Sequence, residues 1–141
     1  MPPALDEYLQ TRVMTATPVQ LHLMVVDGAI RNAADAERSL TKRRFDDAHG
    51  SIGRANAFVG ELIAGLDPSR LPGVVENLKS LFLFIHHNLV EADRQRDPRR
   101  AADALSILRM HRETWVALGE KLAREAPTEA PRPEGGFSWS T

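Results

Sequence analysis

Apolar residues recur at helical spacing in four successive stretches of the chain. These stretches cover residues 19–40, 48–66, 74–92 and 101–122, and in each the apolar positions follow the i, i+3, i+4, i+7 pattern of an amphipathic helix. Alternating apolar and polar residues, which would indicate half-buried strands, are hard to find anywhere in the sequence. The pattern therefore predicts four long helices.

Polar residues and prolines mark the predicted helix ends. Thr17 supplies an N-cap oxygen and Pro18 occupies the first helical position of the first helix. Residues 41–44 form a polar break after that helix. Asp97 and Pro98 repeat the cap-and-proline arrangement at the start of the fourth helix.

The remaining connection is longer and contains two prolines. Asp67 and Pro68 end the second helix, and the connector that follows extends through Pro72 and Gly73 before the third helix. Long helices joined by short connections favour antiparallel neighbours. We therefore predict an all-α fold, an antiparallel up-down-up-down four-helix bundle.

Two of the predicted helices carry more apolar residues than one core-facing side requires. Residues 23–26 and 81–85 are contiguous apolar runs, and at about 100° per residue such a run spreads around most of a helix. One interpretation is a helix buried on more than one side. The alternative is that some of these side chains face outward, where the N-terminal segment, a second copy of the chain or a partner segment covers them.

Composition excludes several classes of function. In 141 residues, 18 Lys and Arg stand against 19 Asp and Glu, which removes the basic footprint expected of a nucleic-acid-binding protein. Cysteine is absent, so disulfides, thiolate metal sites and a cysteine nucleophile are excluded. The chain has no signal-peptide pattern in residues 1–10 and no apolar run of about 20 residues. We expect a soluble cytosolic protein without membrane insertion.

The C-terminal residues differ in composition from the rest. Residues 126–141 contain three prolines, two glycines and the aromatic residues Phe137 and Trp139. We predict a helical domain over residues 1–125 and a flexible tail over residues 126–141.

Histidines are the only candidates for a metal site. His86 and His87 are adjacent, and Glu91 lies one turn after His87. The Glu-x-x-His pairs of a di-iron bundle are absent, so solvated histidines are the favoured interpretation and no metal or cofactor is expected. His22 and His49 are expected at the surface or a helix edge, as is His111, whose place on an apolar stripe also allows a satisfied core position.

The sequence contains no recognisable set of catalytic residues. Paired acids, a nucleophilic serine turn and a glycine-rich phosphate loop are all missing, and we expect no enzymatic activity. Asp27 lies in the most apolar part of the first helix, where an acid needs a partner or contact with water. Gly28 beside it suggests close approach of another backbone.

Particular residues also resemble a known family. The N-terminal block consists of Tyr8-Leu9, Thr11, Val13, Thr15-Ala16-Thr17-Pro18, Leu21, Met24 and Asp27-Gly28-Ala29-Ile30-Arg31. The downstream segments are Phe82-Leu83-Phe84-Ile85, Leu89-Val90-Glu91-Ala92-Asp93 and Arg112-Glu113-Thr114-Trp115. This pattern closely resembles FliS, the flagellin export chaperone family, over residues 5 to about 122.

The resemblance implies an antiparallel four-helix bundle with an N-terminal extension, which acts as a bacterial cytosolic chaperone with no catalysis and no cofactor. Its expected partner is the disordered C-terminal segment of flagellin, which it keeps from polymerising and delivers to the flagellar export apparatus. The export gate and other flagellar regulators are further expected partners, and the protein is expected to be a monomer or a weak homodimer. The alternatives are a helical scaffold or regulator for another flagellar partner, and a metal-binding bundle.

The resemblance and the apolar surplus together give the expected site residues. Tyr8 and Leu9 match positions that border the partner site, whereas Thr17 and Pro18 match the helix cap. The other predicted partner-binding residues are Leu21, Met24, Asp27, Val59, Leu62, Leu78, Phe82 and Ile85.

The chain departs from the family pattern at several positions. Val26 replaces a usual tyrosine, and residues 86–88 replace a segment that commonly carries basic residues. A further hypothesis is that Phe137 and Trp139 of the tail dock on the partner site of the free protein.

Overall fold

The computed structural model describes residues 17–69 and 72–125, which form four α-helices and no strand. The helices are α1 (Pro18–Thr41), α2 (Phe45–Ala64), α3 (Pro72–Gln95) and α4 (Pro98–Glu125). This confirms the predicted all-α four-helix architecture. Tyr8, Leu9 and residues 126–141 lie outside the described residues.

The helices pack as a closed ring of neighbours around one core. α1 packs against α2 and α4, and α3 packs against the same two helices on the other side. All four helices contribute to the core, whose largest wholly buried side chains include Leu62, Phe82, Ile85, Leu89 and Leu108. None of the described helices combines the length and apolar character needed to cross a membrane.

The start of α1 is fixed by reciprocal hydrogen bonds. The Thr17 hydroxyl accepts from the Gln20 backbone N–H at 3.1 Å, and the Gln20 side-chain oxygen accepts from the Thr17 backbone N–H at 2.9 Å. This capping box satisfies donors that a helix terminus otherwise leaves unpaired, and Pro18 has no N–H to satisfy. The predicted cap at Thr17 and Pro18 is confirmed.

Replacing Thr17 with alanine should lower the free energy of unfolding by about 1 kcal/mol, because the Gln20 N–H loses its acceptor. Urea denaturation followed by circular dichroism measures the change. Thr114→Ala is a suitable control, because that hydroxyl only donates to the Met110 carbonyl within its own helix. Equal losses in the two variants would contradict a special role for the cap.

Two other helix starts differ from the predictions. α2 begins at Phe45 rather than near Ala48, and α3 begins at Pro72 rather than after Gly73. The residues added to α3 precede its first buried apolar position, Val75, whereas Phe45 at the start of α2 is itself apolar and packs against the core, although the predicted apolar stripe did not include it. Asp97 caps the start of α4 as predicted, because its carboxylate accepts from the Arg99 backbone N–H at 2.9 Å.

Small residues on α1 allow close packing with α2. A Cβ atom built on Gly28 would lie 2.6 Å from the Phe58 ring of α2, a distance that real Cβ atoms do not adopt. The expected close approach at Gly28 is therefore real, but an aromatic side chain makes it rather than another backbone. Ala29, Ala33 and Ala36 on the same helix are wholly buried.

α1 begins and α4 ends at the same end of the bundle. Gly119 of α4 lies so close to α1 that a Cβ there would be 3.0 Å from the Val19 side chain. The opposite end carries the α1–α2 and α3–α4 turns.

Candidate partner-binding surface

The side of α3 that faces away from the core carries exposed apolar side chains. Leu83, Phe84 and Val90 are 45 %, 52 % and 41 % exposed. Phe82 and Ile85, on either side of Leu83 and Phe84 in the sequence, are wholly buried. Leu83 and Val90 are two turns apart and share one side of the helix. We call Leu83, Phe84 and Val90 the outer apolar face.

The predicted apolar surplus is therefore real. The run over residues 81–85 does send side chains outward, and Met110 on α4 and Val74 near the start of α3 are also exposed. In the other run, Val26 is wholly buried and residues 23–25 are half-buried. Exposed apolar side chains grouped on one helix face are typical of a surface that binds another chain.

Four of the predicted partner-binding residues are core residues in this structure. Val59, Leu62, Phe82 and Ile85 have no exposed surface and belong to the hydrophobic core. Contact between a partner and any of these four would require the surrounding side chains to move. Their roles in partner binding remain predictions.

The other predicted residues retain access to solvent. Leu21, Met24 and Leu78 are half-buried, and Leu78 packs against the edge of the core. Asp27 is half-buried, and its carboxylate accepts a hydrogen bond of 2.6 Å from Arg112 Nε on α4. The acid therefore has both the partner and the water contact expected of it, and the ion pair links the first helix to the last.

A buried aromatic cluster joins α1, α3 and α4. His22 Nε2 lies 2.6 Å from His111 Nε2, with the two rings edge to face. Trp115 lies against both imidazoles, with ring centroids 4.3 Å from His22 and 5.2 Å from His111. The Phe82 ring meets His111 edge-on at 5.1 Å.

Burial holds these two histidines in the neutral form. Desolvation lowers the pKa of His111 to about 4, and desolvation together with the neighbouring His111 lowers the pKa of His22 to about 2. One imidazole can donate to the other only if a single proton lies between the two Nε2 atoms. The core alternative for His111 is confirmed.

The expected surface or helix-edge position of His22 is wrong. Its ring is 1 % exposed, because α4 and α3 place His111, Trp115 and Phe82 around it. The only sign in the sequence that His22 could be buried was its position after Leu21 in an apolar segment of the helix.

The adjacent histidines of α3 form no metal centre. His86 and His87 are exposed, and Glu91 is engaged by Arg94 at 2.6 Å and by Gln95 at 2.6 Å. The hydrogen bond from Arg94 holds the pKa of Glu91 below its usual range. Within residues 17–69 and 72–125, no group of three potential ligands could hold a metal ion.

A depression of about 420 Å³ lies between the end of α1 and the start of α2, and charged and polar side chains line it. Arg38 and Asp35 pair with each other there, as do Arg44 and Asp47. Its lining is mainly polar, so the outer apolar face is the stronger candidate for a partner with a hydrophobic chain segment.

Comparison with known proteins places this bundle in a family. A family model described as "Flagellar protein FliS" matches residues 1–122. The chain is also 23 % identical over 107 residues to the flagellar secretion chaperone FliSB of Pseudomonas aeruginosa, and the alignment covers 76 % of this chain and 85 % of that protein. Because the family model covers most of the chain, the protein belongs to the FliS family of flagellar proteins.

Proposed function

We propose that this protein is a flagellar secretion chaperone that binds the disordered C-terminal segment of flagellin in the cytosol and delivers it for export. The outer apolar face carries the proposal, because three large apolar side chains are exposed on one helix of a small bundle. Membership of the FliS family and the similarity to a flagellar secretion chaperone support it.

The physical mechanism is coupled folding and binding. A disordered segment loses conformational entropy when it docks, and burial of apolar surface on both chains offsets that loss. Leu83 and Val90 lie about 10 Å apart along α3, given a rise of about 1.5 Å per residue. A partner helix or extended segment lying along α3 could therefore cover both side chains together with Phe84. While bound, the flagellin segment is withheld from contacts with other subunits.

The double variant Leu83→Asp, Phe84→Asp should weaken binding of a peptide from the C-terminal segment of the organism's own flagellin by at least about 30-fold, because two apolar contacts are replaced by charges that remain hydrated. Isothermal titration calorimetry with the full chain measures the affinity. Both positions are about half exposed, so thermal unfolding should change little.

Ser106→Asp combined with Thr114→Asp is the matched control, because the pair adds the same two charges at exposed positions of α4, outside the outer apolar face. Its affinity should remain within about threefold of the wild type. If wild type does not bind the flagellin peptide, the proposed function is wrong. If the double variant binds as tightly as the control, the partner site lies elsewhere, with half-buried Leu21, Met24 and Leu78 as the next residues to test.

A further inference from the structure

Two arginines from different turns meet on one aromatic ring at the turn end of the bundle. The guanidinium carbon of Arg43, in the α1–α2 turn, lies 5.3 Å from the centroid of the Phe45 ring. That of Arg96, in the α3–α4 turn, lies 4.5 Å from the same centroid. Both distances fall within the range of cation–π contacts.

Three neighbouring arginines at this end have their charge paired with a carboxylate. Arg44 pairs with Asp47 and Arg94 pairs with Glu91, whereas Arg99 pairs with Asp97. In the part of the chain that the structure describes, neither Arg43 nor Arg96 forms an ion pair with a carboxylate. The ring contact engages a guanidinium without accepting its N–H groups in strong hydrogen bonds, so those donors remain available.

The backbone places arginine at two positions that favour glycine. Arg43 has φ 58° and Arg96 has φ 53°, the left-handed conformation that commonly follows a helix end. The Arg44 and Asp97 backbone N–H groups donate back to the Ser39 and Ala92 carbonyls at 2.8 and 3.0 Å, which closes each helix. A side chain in this conformation is less favourable than glycine. Attraction between a cation and a helix C-terminus explains why an arginine follows each helix. It does not explain why Arg43 and Arg96 contact the same Phe45 ring.

We propose that Arg43 and Arg96, held by Phe45, form a docking site for a carboxylate-bearing segment of a partner protein. A guanidinium binds a carboxylate through two parallel hydrogen bonds, and the ring holds each planar group in place before the partner arrives. The neighbouring Arg44 and Arg99 are already paired with Asp47 and Asp97, and the whole chain has a formal net charge of -1, which offers little attraction to an extended polyanion such as nucleic acid or an anionic membrane. A short acidic segment needs only the two guanidinium groups.

The site is separate from the outer apolar face and does not depend on flagellin binding. Its test uses the full chain, labelled with ¹⁵N, and a hexaglutamate peptide at low salt, with binding followed by amide chemical shifts. Wild type should show saturable shifts centred on residues 43–45 and 96. Arg43→Gln combined with Arg96→Gln should weaken binding at least about tenfold.

A matched control removes the same number of charges elsewhere. Lys121 and Arg124 are exposed near the end of α4, at the opposite end of the bundle, and replacing both with glutamine should change the affinity less than about twofold. Arg43→Lys combined with Arg96→Lys keeps the charge but loses the planar group, and should weaken binding at least about threefold. Circular dichroism and amide spectra establish that each variant is folded.

Absence of saturable shifts in wild type would overturn the proposal. So would an equal loss in the Lys121, Arg124 control, because that result indicates only general electrostatic attraction. Full retention of affinity in the lysine variant would exclude recognition by the guanidinium groups. Tighter binding of an oligothymidylate or of phosphatidylglycerol vesicles at the same residues would overturn the choice of a protein carboxylate.

Discussion

Lowering the pH from 7 to 5 should decrease the free energy of unfolding by about 2 to 4 kcal/mol, with the loss originating at His22 and His111. Both side chains are neutral when the protein is folded, because burial lowers the pKa of His111 to about 4 and that of His22 to about 2. In the unfolded chain both titrate near a pKa of about 6.5. A small domain has about 5 to 15 kcal/mol of total stability, so the loss is a large fraction of it.

The direction follows from proton binding in the two states. Below pH 6.5 the unfolded chain binds a proton at each histidine, whereas the folded chain resists protonation until the pH approaches the lowered pKa. Stability from this pair is therefore fully present above pH 6.5 and is lost as the pH falls toward 4. Each histidine can contribute up to about 1.4 kcal/mol per pH unit within that range.

Urea denaturation at half-unit steps from pH 7.5 to pH 5 measures the effect. The chain has two tryptophans, so Trp139→Phe leaves Trp115 as the only fluorescent indole, and Trp115 lies against both imidazoles. The double variant His22→Leu, His111→Leu should have a much flatter pH profile. His86→Gln, which removes an exposed histidine of α3, should keep the wild-type profile.

Parallel pH profiles in wild type and the double leucine variant would show that the acid sensitivity originates elsewhere. A flat wild-type profile would show that the histidine pair is protonated or solvated in the folded protein. Long-range ¹H–¹⁵N spectra of the imidazoles give an independent check, because the neutral tautomers have distinct nitrogen shifts.

Phe82→Ala should destabilise the protein by about 3 to 5 kcal/mol, whereas Phe84→Ala should cost less than about 1 kcal/mol. The two residues have the same side chain and are two positions apart on α3. Phe82 is wholly buried against His111 and the core, but Phe84 is 52 % exposed. Removal of the Phe82 ring leaves a cavity among groups that cannot close around it fully.

Thermal and urea denaturation compare the two alanine variants, and peptide calorimetry measures binding in whichever of them is folded at the working temperature. We expect Phe84→Ala to weaken flagellin-peptide binding while retaining wild-type stability. Similar destabilisation in both variants would mean that Phe84 is also a core residue. Unchanged stability in Phe82→Ala would contradict the core packing described here.

The helical architecture could be predicted because it depends on local patterns. Thr17 followed by Pro18, and Asp97 followed by Pro98, define helix starts through groups within one turn of each other. The spacing of apolar residues likewise gave the core-facing side of each helix. The excess of apolar residues over residues 81–85 indicated that α3 also has an exposed apolar side, as the structure shows.

The site could be predicted only in part, because it depends on which helix lies beside which. Phe82 and Ile85 were predicted from the sequence as partner-binding residues, but their neighbours Leu83 and Phe84 are the exposed residues. A shift of one position around a helix is about 100°, so the set of exposed positions depends on how the helix is rotated against its neighbours.

Contacts between distant residues gave no signal in the sequence. His22 and His111 are 89 positions apart, and neither residue alone indicates the other. The arginines that share the Phe45 ring also come from separate turns, and their convergence depends on the antiparallel order of the helices.

The meeting of α1 and α4 at one end of the bundle has a practical consequence for experiments. Because the described chain enters at Thr17 and leaves at Glu125 on the same end, a surface linker attached at Glu125 anchors that end. The turns that carry Arg43 and Arg96 then point away from the support, and α3 remains accessible from the side. A molecule immobilised in this orientation can be tested with an acidic peptide and a flagellin peptide in turn, so that simultaneous occupancy of the two surfaces becomes directly measurable.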